Sequence, residues 1–232
     1  MSTDNNNAPK TAKELEDTVL WRLILKDYSP SVLKNEKSEE EQFYHHAFVK
    51  TYNITETIHT LHLIVELLKR HCQKNNGCQS DELRIIRYHI ENFYSRITKV
   101  NDQILLLINE VFNLKLNDRS CKYDPIIKKL KGNEVIEDYL LQMKTAFENI
   151  SDTRNKITHR EKYVDLDLAN MGAMALLNYS INLDLKKFVD EKIVFFEKLI
   201  KMSLNWAFWA GVLLVKPYNQ RKKELKYNLK GK

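Results

Sequence analysis

One stripe of apolar residues constrains this chain more than any other feature. Ile86, Ile90, Phe93, Ile97, Val100, Ile104, Leu107, Val111 and Leu114 follow one another in alternating steps of four and three. An α-helix brings such positions onto one line, and a repeat sustained over so many turns demands a second helix packed along it. The pattern predicts a helix from Ser80 to about Leu116, opened by Ser80-Asp81-Glu82. Tyr94, Leu105, Ile108 and Phe112 add a second apolar side to its later half, which is therefore expected to be central. His89, Glu91, Asn92 and Arg96 interrupt the early half and are expected to face a groove or solvent.

A second stripe repeats the pattern. Val189, Ile193, Phe196, Ile200, Ser203, Ala207, Ala210 and Leu214 again step by four and three, in a helix predicted from Asn182 or Asp184 to about Val215. Its small late residues let a neighbour approach closely. Between the two stripes, Asn117–Lys122 reads as a turn, and Pro125 starts a short helix that Gly132 ends. Glu134 to about Asp152 reads as a helix, with Val135, Tyr139, Met143, Phe147 and Ile150 facing inward. Asp165–Leu177 reads as a short apolar helix or an ordered loop.

Upstream, Thr11 to Tyr28 reads as one helix stopped by Pro30, and Ser31–Lys37 as a linker. Ser38-Glu39-Glu40-Glu41 is a capping box, with Ser38 as N-cap and Glu41 reaching back to it. The helix it opens is predicted to run to about Lys74, before Asn75-Asn76-Gly77. Its inner stripe is read as partly polar: Phe48, Tyr52, Thr55, Ile58 or His59, His62, Val65 or Glu66, and Leu68. With only 5 Gly and 4 Pro in 232 residues, the chain lacks the turns of a sheet protein. The expected fold is all-α: an up-and-down bundle of long helices with an additional N-terminal helix pair. Residues 1–10 are expected to be a disordered start, 11–215 a single bundle domain, and 216–232 a basic C-terminal tail.

The charge is uneven. The net charge is +6, and Lys216–Lys232 carries seven Lys and Arg against one Glu. That leaves the rest of the chain balanced at thirty of each sign, from totals of 37 and 31. Basic tails are usually solvated, but one able to contact phosphates makes Arg221, Lys222 and Lys223 candidate RNA contacts. Cys72, Cys78 and Cys121 have no disulfide-framework spacing, and residues 1–10 hold no apolar run. A reducing, cytoplasmic setting is expected. Met202–Val215 is too short for a membrane span, so no membrane partner is expected. His71 with the cysteines lacks a zinc-site spacing, and Glu56-x-x-His59 lacks the second Glu-x-x-His of a di-iron bundle. Neither metal nor another cofactor is expected.

The densest chemistry lies in Ser151-Asp152-Thr153-Arg154-Asn155-Lys156-Ile157-Thr158-His159-Arg160-Glu161. Arginine is a permanent cation whose planar fork of donors matches a phosphate. Histidine exchanges a proton near neutral pH, and an amide orients either one. Phosphate holder and proton shuttle together are enough to cleave RNA without a metal. On spacing alone, a solvated helix end capped by Ser151 or Asp152 accounts for the same residues. The stretch follows a helix directly, and unpaired backbone N–H groups are expected there.

The long helix from Ser80, the helix running into Arg154-Asn155-Lys156-Ile157-Thr158-His159, and the last long helix together resemble the HEPN superfamily over about residues 80–215. That family is an all-helical bundle with an Arg-x4–6-His motif, often with Asn, Asp or His after the arginine. Arg154, Asn155 and His159 fit it. The resemblance implies a metal-independent endoribonuclease, working as a homodimer in which two motifs meet, often as a toxin with an antitoxin partner or in antiviral defence. It implies His159 as general base or acid, Arg154 on the phosphate, and Asn155 orienting one of them, with Arg160 a further RNA contact. Family members that have lost activity are nucleotide-binding, RNA-binding or protein-interaction modules, and that alternative stays open. The helices of Thr11–Lys74 have no counterpart in the family's minimal bundle.

Overall fold

A computed structural model describes residues 8–31, 34, 37–74, 80–158, 169–171, 173 and 182–230. Among them every regular element is helical. The order is α1 (Ala12–Glu16), α2 (Val19–Tyr28), α3 (Glu39–Lys74), α4 (Ser80–Val111), α5 (Tyr123–Lys129), α6 (Glu134–Thr158) and α7 (Asn182–Lys230). Single 3-10 turns stand at Ser29–Ser31 and Asp118–Ser120. This is the all-α, long-helix architecture that the two stripes predict. Every residue of the α4 stripe is at most 9% exposed, and every residue of the α7 stripe at most 7%.

The sequence leads one to expect a single bundle over residues 11–215. Contacts group the chain into two compact units. The first comprises Met1–Thr57, Lys99–Ala146 and Ser203–Lys232, and the second Ile58–Thr98 and Phe147–Met202. Helices α3, α4, α6 and α7 each contribute segments to both.

In the second unit, Ile58, Leu61, Ile64, Val65 and Leu68 of α3 are buried together with Ile86, Ile90, Phe93 and Ile97 of α4. Phe147 and Ile150 of α6 and Phe188, Val189, Ile193 and Phe196 of α7 complete the core. Phe93 and Phe196 stack with centroids 3.7 Å apart and planes 6° from parallel, and Tyr94 meets Phe196 edge-on. Lys69 bridges α3 to Glu197 of α7 at 2.8 Å.

The first unit joins α1, α2, the start of α3 and the end of α7 to the segment between them. The capping box forms as expected: the Glu41 N–H donates to Ser38 Oγ at 3.3 Å, and the Ser38 N–H donates to Glu41 Oε2 at 3.0 Å. Lys34 bonds the same carboxylate and, with the Ser38 N–H, holds it down at about 2. Gly211 lets α7 approach α2, since a Cβ there would lie 2.8 Å from the Trp21 ring. Tyr139 donates to the Trp206 carbonyl at 2.8 Å, its ring edge-on to the indole.

Several expected boundaries move, each for a local reason. The single helix over Thr11–Tyr28 is two, because Thr18 is extended (ψ 161°) and turns its hydroxyl back to the Leu15 carbonyl at 2.7 Å. Helix α4 stops at Val111, short of Leu116. Asn113 and Lys115 take positive φ of 51° and 55°, and the Asn109 side chain brackets Leu116 with bonds of 2.9 and 3.1 Å. The inner stripe of α3 is Phe43, Tyr44, Ala47, Thr51, Ile54, Ile58, Leu61 and Leu68, whereas Tyr52 and His59 are exposed. Val135 of α6 is exposed, and Ile136 takes the inward position. His89 is buried rather than facing solvent. Asp165–Leu177 and the first seven residues lie largely or wholly outside the described residues.

The largest correction concerns the expected basic tail at 216–232. Helix α7 runs to Lys230 through Pro217. A proline inside a helix costs about 3 kcal/mol. Tyr218 and Leu225 continue the stripe at 0% and 2% exposed, and burying each returns roughly 1.5–3 kcal/mol, so burial wins. The tail's charges had hidden this apolar phase.

Candidate functional site

Helix α6 positions the motif. Its N-terminus follows Gly132, whose φ of +98° suits glycine, and the Gly132 N–H donates to Glu137 Oε1 at 2.6 Å. Met143, Phe147 and Ile150 then bury the helix as it approaches the motif. Arg154 and Asn155 stand in its last turns, which end at Thr158, with Asn155 exposed. His159 and Arg160 lie outside the described residues, as does the side chain of Arg154. Thr158 is the last described residue of α6, so the backbone N–H groups expected beside the motif lie outside the described residues.

The family-model comparison bears on this stretch directly. Residues 74–205, more than half of the chain, match the model described as Cthe2314-like HEPN. The chain belongs to this HEPN family. Neither curated proteins nor solved structures yield a match. The HEPN match takes in α4, α5, α6 and α7 as far as Asn205, and so includes Arg154, Asn155, His159 and Arg160. Helices α1, α2, nearly all of α3, and Trp206–Lys232 flank it.

The other candidate RNA contacts stand on α7. Lys222 donates to Asp27 of α2 at 2.5 Å and lies over the Tyr44 ring, with its centroid at 5.7 Å. Arg221 is half-buried beside Glu224, and Lys223 is exposed. Tyr218 also donates to Asp27, at 3.2 Å, while Tyr44 donates to Glu40, and Lys226 stands 3.8 Å from Glu40. Burial drives the Tyr44 and Tyr218 hydroxyls far above their ordinary range, so both stay protonated donors. Lys222 therefore joins the flanking helices to one another.

Three further groups escape a reading from sequence. Glu110 of α4 faces His46 at 3.6 Å, with Lys50 and Arg221 close enough to act on it. Burial raises this carboxyl's pKa, against the pull of those cations. His89 is buried against His71, ring centroids 5.8 Å apart, with no partner for its Nδ1. Burial first, then His71, lowers its pKa. Cys121 is a buried free thiol pushed up to about 11, first by burial. None of these residues belongs to a pattern that spacing alone reveals, because each group draws on separate helices or a loop. Among the described residues no three His, Cys, Asp or Glu side chains gather as metal ligands. Within α7, Leu185–Tyr227 contains an 18-residue stretch long and apolar enough to span a membrane, with a mean hydropathy of 1.2, and 44% of that stretch is buried in the fold.

Proposed function

We propose that this HEPN protein is a metal-independent endoribonuclease whose reacting groups are Arg154, Asn155 and His159. The observation that carries this reading is the intact Arg-Asn-x3-His sequence motif within the family-matched stretch, with Asn155 exposed on α6 beyond its buried Phe147 and Ile150. His159 takes the proton of a ribose 2′-OH. The 2′-oxygen attacks phosphorus, the bond from phosphorus to the 5′-oxygen breaks, and the leaving oxygen takes up a proton. The products are a 2′,3′-cyclic phosphate and a 5′-hydroxyl. Arg154 neutralises the charge that grows on the phosphate oxygens, and Asn155 orients His159 or bonds the phosphate.

One histidine is poorly placed to remove one proton and deliver another in a single step. A homodimer with two motifs in one cleft supplies the second, and that is the assembly we propose. The proposed setting is the cytoplasm, in a toxin or antiviral role with an antitoxin partner. The test is incubation of the purified protein with RNA in EDTA, followed by end-group analysis. Cyclic phosphate ends support the reading. Uncut RNA across a broad set of substrates would replace it with a binding module.

A further inference from the structure

Two histidines on the seam between α3 and α4 take no part in the motif or its proposed chemistry. His71 stands near the end of α3, and His89 stands early in α4. Folding brings their rings to 5.8 Å between centroids, with planes 38° apart. His89 is 8% exposed, and its Nδ1 is buried without a partner. His71 is half-buried, so the pair is reachable from solvent on its side. Burial first, then His71, holds His89 below its ordinary pKa, which keeps the ring neutral and its lone pair free near neutral pH.

Packing is the plain alternative, since two imidazoles fill space as other rings do. Packing alone needs no histidine at His89, however, and a buried nitrogen left unpaired is costly. What two neutral imidazoles share is a nitrogen to offer a metal ion, and imidazole is the commonest protein ligand of the late first-row metals. Nitrogens about 2 Å from one tetrahedral Zn²⁺ set the two ring centres roughly 5 to 5.5 Å apart. The observed separation is close to that, and a small rotation of the half-buried His71 ring closes the difference. Mg²⁺ and Ca²⁺ seek oxygen ligands and do not suit a pair of nitrogens. Spacing along the chain hides the pair, because its members lie on two helices.

We propose that His71 and His89 together bind a divalent transition-metal ion, with Zn²⁺ as the representative, on the seam between α3 and α4. The two imidazoles hold two positions of the tetrahedron, and solvent takes the others. The ion ties His71, which precedes the HEPN match, to His89 within it. It stands apart from the cleavage chemistry, which stays metal-independent, so the site does not rest on the ribonuclease reading.

The test uses the full-length protein, stripped with EDTA, moved into chelator-free buffer and titrated with Zn²⁺ by calorimetry. Melting curves are recorded with and without the ion. One Zn²⁺ per chain should bind at this site and raise the melting temperature, because the folded state alone holds both rings together. His71→Ala and His89→Gln should each weaken that binding at least about tenfold and abolish the rise in melting temperature. His62→Gln should bind as the wild type does, since the His62 Nδ1 is already 3.0 Å from the Ile58 carbonyl of its own helix. Mg²⁺ should leave the melting temperature where it was. Circular dichroism checks that the variants fold. Should His89→Gln fail that check, His71→Ala, at a half-buried position, carries the test. Absence of Zn²⁺ binding in the wild type overturns the site. Binding to His71→Ala as tight as to the wild type overturns it equally.

Discussion

The two units keep their own helices together in different ways. The second relies mainly on apolar contacts centred on the Phe93–Phe196 stack, with Glu82 and His89 also buried and Lys69–Glu197 at its surface. The first draws charge inward. Asp27 of α2 is 10% and Glu40 of α3 17% exposed at the side chain; Asp27 holds Lys222 and Tyr218 of α7, and Glu40 holds Tyr44 of its own helix. Most of the second unit lies inside the HEPN match, whereas α1, α2, the start of α3 and the end of α7 lie outside it. Apolar packing tolerates exchange of like for like, but a half-buried ion pair accepts few partners. The flanking helices are thus specified by polar pairing, and the family part by volume.

The largest effect should come from the apolar side of this comparison. Ile97 is fully buried, and Ile97→Asp leaves an unpaired charge there, costing on the order of 5 kcal/mol, comparable to the whole stability. Near-UV circular dichroism should collapse; a wild-type melting curve would show that α4 is not central.

Ending the chain after Val215 sharpens the polar side. It removes Tyr218, Leu225 and Lys222 together, and should cost about 4 kcal/mol in denaturant unfolding. A solvated tail would leave the midpoint where it was.

Asp27→Ala is a finer cut. It strands Lys222, which is 22% exposed at the side chain, so partial solvation limits the loss to about 2 kcal/mol. Asp27→Ala combined with Lys222→Met should be less destabilised than Asp27→Ala alone, because no charge is left over. Strict additivity in that double-mutant cycle would mean that the pair is not coupled.

The smallest effect concerns pH. His89 titrates below its ordinary value in the folded protein, so the unfolded chain takes up a proton first as pH falls. The stability it contributes is present above about pH 6.5 and is lost as the pH falls through the folded value. His71 faces it from α3, and Tyr88 adjoins it on α4. The melting temperature should decline on mild acidification, and less steeply in His89→Gln. Parallel curves for the two proteins would place the acid sensitivity elsewhere.

How much of this was legible in the sequence depended on periodicity. The stripes from Ile86 to Leu114 and from Val189 to Leu214 were readable because side chains facing one core must recur every three or four residues. The capping box was readable because its two bonds lie within four residues. On α3 the reading was partly right: Thr55 is buried as expected, but Tyr52 and His59 look apolar enough to face inward while Thr51 and Ile58 fill those places. The Thr51 and Thr55 hydroxyls bond carbonyls of their own helix, which makes them compatible with burial. The end of α7 was hidden by Pro217 and by Lys222, whose partner Asp27 lies far away along the chain. Arg154, Asn155 and His159 stood out through residue type, while His46, Lys50 and Arg221 act on Glu110 of α4 from α3 and α7, far apart along the chain, and leave no local pattern.

The central claim is that the end of α6 is where RNA is cut. Single-turnover cleavage in EDTA by wild type, Arg154→Ala, Arg154→Lys and His159→Ala, each with its melting temperature, tests it most directly. Wild type should yield cyclic phosphate ends, and Arg154→Ala and His159→Ala should each fall by about a hundredfold or more with melting unchanged. Arg154→Lys should also be slow, because an ammonium cannot make the bidentate phosphate contact. His159→Ala cutting as fast as wild type would contradict the account.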